Sequence, residues 1–117
     1  MAGVTITLNM AAVKERLQEA AQRAGADTAK AALEDCNNYC KQDQGQLINS
    51  SYIHSEPEKG ILRWKTPYAR RQYYLDAVRK NLNPHARKMW AHHAASVHGA
   101  EWLLRMQTAF TKYAKER

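Results

Sequence analysis

The sequence predicts an α+β fold, with helices at both ends of the chain and a β-hairpin between them. Three observations carry this expectation. Apolar residues recur at helical spacing in the first third and again in the last third. Two short β-like runs, 47–55 and 61–64, flank a turn cluster of Glu56, Pro57, Glu58, Lys59 and Gly60. Between the hairpin and the last helical third lies a basic-aromatic segment, 64–74, that fits poorly into a small core.

Residues 3–9 alternate β-branched or apolar Val4, Ile6 and Leu8 with polar Thr5, Thr7 and Asn9, the pattern of a short edge strand or assembly arm. Asn9 is an apt N-cap for a helical stretch over 10–41. Its first apolar face is Met10, Val13, Leu17, Ala20, Ala21 and Ala24. The second is Ala29, Ala32, Leu33, Cys36, Tyr39 and Cys40. Gly25 either ends one helix, with Asp27 or Thr28 capping the next, or sits inside a single bent one. The alanine-rich faces imply close packing against a sheet or another helix. Gly45 breaks the helical pattern, and the two β-like runs then form the expected hairpin, its tip near Pro57. Pro67 has no N–H to give to a ladder, so 66–78 reads as loop, short helix or both. Asn83 and Pro84 read as N-cap and first residue of a C-terminal helical region, 84–115. Ala86, Met89, Trp90, His93 and Val97 share one face of it, and Gly99 marks a junction. Leu103, Met106, Phe110 and Tyr113 form the next stripe, and the charged 112–117 end is expected to fray.

A chain of 117 residues fits one domain, 1–117, with one modest core. At 44% hydrophobic and 25% charged residues it is too apolar for a disordered chain. No run of about 18 apolar residues occurs, and no basic-then-apolar leader, so synthesis in a cytosol is expected and a membrane span is not. Cys36 and Cys40 then read as reduced core thiols rather than a disulfide. The formal charge of +7 is concentrated: between Ile61 and Trp90 eight cations face one acid, Asp76, and the rest of the chain is neutral. Such a block suits phosphate, an acidic protein surface or nucleic acid. The plainer alternative is a solvated surface with a few internal pairs.

Little in the chain resembles an active site. His85, His92, His93 and His98 are clustered, but their spacings are not those of helical zinc ligands and no carboxylate lies among them, so no metal site is expected. The acids fall on charged helix faces or in turns, where a carboxylate stays solvated, and no nucleophile triad or glycine-rich phosphate loop occurs. Neither an enzyme nor a cofactor is expected. The strongest signal is Arg70 and Arg71 set between Tyr68 and the pair Tyr73 and Tyr74, with Trp64 and Lys65 just before. Arginine with aromatics suits a protein interface or stacked nucleic acid, and the third reading puts the tyrosines in the core.

The order of these features resembles the phage minor capsid or tail-completion proteins, small neck components of tailed phages and prophages. Members carry an Asp-Thr-Gly-x-Leu turn after a long helix; here it is Asp43, Gln44, Gly45, Gln46 and Leu47. A hairpin follows, then a Thr-Pro-Tyr-Ala segment running into basic and tyrosine residues, here Thr66 through Tyr74. Asn83 and Pro84, then Trp90 and Trp102, look like the closing features of the minor-capsid branch. The likeness covers roughly residues 33–110. It departs at Gln44, where threonine is usual, and at Lys41, near a common proline.

The resemblance implies a small antiparallel sheet with long helices packed on one side, and a non-enzymatic role joining the DNA-filled head to the tail. It implies a homo-oligomeric ring in the virion, with other neck, connector or tail proteins as partners. Contact residues would then be Asp43, Gly45, Leu47, Pro57, Pro67, Tyr68, Arg70, Arg71, Tyr73 and Tyr74. The rival reading is a small DNA-binding protein using Arg63, Lys65, Arg70, Arg71, Arg79, Lys80, Arg87 and Lys88. A lumen-facing basic patch touching packaged DNA would combine the two.

Overall fold

A computed structural model describes residues 3–41, 45–75 and 84–116. Two long helices dominate it: α1 (Met10–Asn38) and a C-terminal helix, Trp90–Lys115. Between them lie two shorter helices, α2 (Gln46–His54) and α3 (Ala69–Tyr74). The C-terminal helix is therefore α4. The described chain is a helical protein without a strand, which corrects the α+β expectation.

The helix α1 begins where Asn9 caps it, its side chain accepting from the Ala12 N–H at 3.2 Å. It runs unbroken through Gly25. Thr28, instead of capping a second helix, returns its hydroxyl to the Ala24 carbonyl at 2.8 Å. Asp27 accepts from the Tyr113 hydroxyl of α4. At Gly25 a Cβ would meet only Met106 Cε at 3.8 Å, ordinary van der Waals contact. Gly25→Ala should therefore stabilise the protein by about 0.5–1 kcal/mol, because glycine in a helix interior loses more backbone entropy than alanine. A urea midpoint that falls would show that the two helices approach too closely for the methyl group.

The helix α4 runs antiparallel to α1. Arg16 donates to the carbonyls of Ala114 and Glu116, Arg23 pairs with Glu116 at 2.9 Å, and Trp102 Nε1–H donates to Asp35 at 2.7 Å. Ala20, Ala24 and Ala32 are buried on α1, so the close packing foreseen for the alanine face is against a helix. Glu116 is thereby tied down where fraying was expected. The molecule is long and thin, 79 × 24 × 20 Å, with a radius of gyration of 19.8 Å. A compact domain of this length would have about 13 Å.

The apolar centre sits at one end of the helix pair. Cys36, Cys40, Leu47, Ala69, Trp90 and Ala94 form it, with Tyr39, Ile48, Leu62, Trp64 and Tyr73 packed around. Trp90 is 1% exposed, with Trp64 and Tyr73 edge-on to its ring at 5.8 and 4.7 Å.

The predicted hairpin is absent because serines replace a neighbouring strand. Residues 47–55 have a helical period with inverted polarity. Leu47, Ser50 and Ser51 face inward, while Tyr52 and Ile53 face water. Small serines let α2 approach α1, and their hydroxyls find partners locally: Ser50 donates to the Leu47 carbonyl and Ser51 to that of Ile48, both at 2.6 Å. Asn37 of α1 donates to Ser51 Oγ at 2.9 Å. The run 61–64 then lies against α2, the Arg63 N–H donating to Ser55 Oγ and the neighbouring Lys65 N–H to Ser50 Oγ. Of the ladder only an antiparallel bridge between Glu56 and Ile61 remains. The turn cluster itself is as foreseen, with a 3₁₀ turn at Pro57–Lys59 and Gly60 left-handed at φ 71°. Residues 3–9 have no regular structure, since no strand among the described residues can pair with them.

The C-terminal helix starts later than Pro84 suggests. Arg87 N–H donates to the Tyr39 carbonyl at the end of α1, and Ala86 is buried there, which holds 84–89 in a non-helical path. Met89 turns the chain at a left-handed φ of 51°, and α4 begins at Trp90. Gly99 is interior to it, so no junction occurs. On α4 Trp90 and Ala94 are buried and His93, His98, Trp102, Phe110 and Tyr113 half-buried, while Val97 and Leu103 are more than half exposed and Met106 is 36% exposed.

Candidate assembly surfaces

The basic-aromatic segment is divided by the short helix α3. Pro67 opens the turn before it, and the Ala69 N–H reaches the Thr66 carbonyl at 3.2 Å. Ala69 and Tyr73, one turn apart, face inward; Tyr73 lies edge-on to both Trp90 and Tyr74. Its hydroxyl accepts from the His92 N–H at 3.2 Å, and partial burial pushes its pKa above the ordinary phenol value. Tyr73 is therefore a packing residue. Tyr68, Arg70, Arg71 and Tyr74 point outward with Pro67 beside them, and Tyr68 donates to Gln46 of α2 at 3.1 Å. Five of the ten residues expected to make contacts thus share one exposed patch.

The other five are placed differently. Leu47 is 5% exposed and belongs to the core, which removes it from any surface. Gly45 turns the chain into α2 at a φ of 78°, and Pro57, half-buried, starts the 3₁₀ turn. Asp43 lies outside the described residues, and Tyr73 is accounted for above.

The basic block is likewise partly engaged. Arg63 pairs with Glu56 at 3.5 Å, and Arg87 lies 5.6 Å over the Tyr39 ring with a nitrogen 3.3 Å from His93 Nδ1. Partial burial and then the Arg87 charge hold the His93 imidazole below its ordinary pKa. Lys65, Arg70, Arg71 and Lys88 are exposed, and Arg79 and Lys80 lie outside the described residues.

A larger surface comes from a mismatch in helix length. The helix α4 ends at Lys115, alongside Arg16 and Arg23, whereas α1 and residues 3–9 continue past it. The stripe that Ala20 and Ala24 bury against α4 continues as Met10, Val13 and Leu17, all exposed beyond the end of α4 among the described residues. Val4, Ile6 and Leu8 are 89%, 79% and 64% exposed. Six apolar side chains in succession on a slender projection are far more than a soluble monomer needs to show. The alternation of 3–9 read as a short strand or an assembly arm in the sequence; the bare stretch of α1 required knowing where α4 stops.

Two clusters have chemistry of another kind. Cys36 and Cys40 are buried thiols, raised by burial to about 11 and about 12, so neither is a ready nucleophile. Asp35, His98 and Glu101 bring a donor atom each to within 4.8 Å of one another, and could hold a cation. Two carboxylates had been missing from the histidine pattern: Glu101 lies three residues beyond His98, and Asp35 comes from the facing helix.

Comparison with known proteins agrees with the sequence motifs. Neither curated proteins nor solved structures give a significant match. The model of the family described as minor capsid protein matches residues 4–110, from the exposed arm almost to the end of α4. That match spans nearly the whole chain, and the chain belongs to the phage minor capsid protein family, a family of virion structural proteins.

Proposed function

We propose that this protein acts at the head–tail junction, as a subunit of a homo-oligomeric ring that joins the DNA-filled head to the tail through protein–protein contacts. The observation that carries the reading is the exposed apolar projection of residues 3–17, whose burial against another chain would be favourable. A ring of identical subunits needs two unlike faces on each chain, so that one subunit's projection meets a different surface of the next. Tyr52 and Ile53 on α2 and Leu103 and Leu104 on α4 are exposed apolar positions that suit the receiving face. The patch of Pro67, Tyr68, Arg70, Arg71 and Tyr74 then serves neighbouring neck, connector or tail proteins, for which arginine with tyrosine is a favoured mixture.

The test is electron microscopy of lysates from phage carrying a nonsense mutation in this gene, complemented with wild type or with Tyr68→Ala/Arg70→Ala. The null phage should give full heads and separate finished tails, and the double variant should fail to rescue joining while keeping its helical circular dichroism. Normal joined virions from the nonsense mutant would overturn the junction role. Rescue by the double variant would remove the α3 patch from the contact map. The DNA-binding reading has less support, because Arg63 and Arg87 are engaged within the chain. It requires duplex affinity that falls steeply with salt.

A further inference from the structure

We propose that Asp35, His98 and Glu101 form a binding site for a divalent transition-metal ion of the zinc type, tying the C-terminal part of α1 to the middle of α4. The three donor atoms lie within 4.8 Å of one another, two from α4 at i and i+3 and one from α1. An imidazole with two carboxylate oxygens is a ligand set that zinc accepts, with water completing the shell.

The neighbours of these residues orient them as ligand supports do. Trp102 Nε1–H donates to one oxygen of Asp35 at 2.7 Å and leaves the other for an ion. The Tyr39 hydroxyl lies 3.2 Å from His98 Nε2, so an Nε2–H donating to that oxygen leaves the Nδ1 lone pair facing Glu101. Nδ1 is 3.0 Å from Glu101 Oε2. Adjacent ligands on tetrahedral zinc, with bonds of about 2.0–2.1 Å, stand about 3.3 Å apart. The Tyr39 ring is in turn fixed edge-on by His93 at 4.6 Å. Metal-bound histidine characteristically has its second ring nitrogen held in this way. A proton on Nδ1 would satisfy Glu101 alone, whereas a divalent cation also neutralises the second carboxylate, Asp35.

The test uses the full chain stripped of metal on a chelating resin and titrated with zinc chloride by calorimetry, followed by cobalt(II) for its visible absorption. About one zinc per chain is expected. Glu101→Gln, at an exposed position, and Asp35→Asn, which keeps an oxygen for Trp102, should each weaken binding at least about tenfold with unchanged circular dichroism. Tyr39→Phe should weaken it less and shift the cobalt spectrum. Absence of zinc binding would overturn the site. So would binding that the Glu101 and Asp35 variants leave intact, which would assign the ion to other surface histidines.

Discussion

Trp90→Ala should cost about 3–5 kcal/mol of folding stability, the range for removing a large buried aromatic. Small domains have about 5–15 kcal/mol in total, so the variant should be partly unfolded at 37 °C. The size of the effect follows from position. Trp90 is 1% exposed, begins α4, and is the ring on which Trp64 and Tyr73 both rest. Through them it holds the 61–65 segment and α3 against the helix pair. Removing it therefore loosens two elements that have few other apolar anchors. Urea unfolding followed by circular dichroism measures this, and a loss below about 1 kcal/mol would show that the aromatic cluster is not the centre of the fold. Trp90→Phe should cost much less. The Trp90 Nε1–H has no acceptor among the described residues, so deleting it strands no partner.

The second large effect concerns assembly and should leave folding untouched. Replacing Val4, Ile6 and Leu8 together by serine is expected to keep the melting temperature of the isolated protein within a degree or two, because all three are mostly exposed and serine at such sites changes stability little. Asn9 is retained, so the cap of α1 remains. In an infected cell the same variant should fail to enter virions. Each buried aliphatic side chain contributes about 1.5–3 kcal/mol to an interface, and three lost together weaken association by orders of magnitude. Measuring the melting curve and the virion content in parallel separates the two effects. A lowered melting temperature would mean that the arm packs on its own chain; normal incorporation would mean that another surface drives assembly.

Much of the helical architecture was legible from local pattern. Asn9 caps α1 through its side chain, the alanine face is buried, Cys36 and Cys40 are in the core, and the turn at Pro57 and Gly60 is where its residues put it. Each depends on neighbours within a turn or two of chain, where sequence and geometry are directly coupled. The hairpin failed for a specific reason. A serine reads as a solvent-facing residue, yet Ser50 and Ser51 are buried, satisfied by carbonyls one turn back and by backbone N–H or Asn37 groups from elsewhere. Nothing in the local pattern distinguishes that from a polar strand face.

The candidate surfaces divided along the same line. Composition singled out Tyr68, Arg70, Arg71, Tyr73 and Tyr74 without deciding between surface and core, and only the three-dimensional arrangement turned Tyr73 and Leu47 inward while leaving the others exposed. By itself the sequence determined the helical ends of the chain and the family. Tertiary structure decided that α4 stops short of the start of α1, that Asp35 meets His98 and Glu101, and that serines complete the centre. These three depend on pairings between residues far apart in the chain. Such pairings are set by how long helices lie against each other, which the local pattern does not encode.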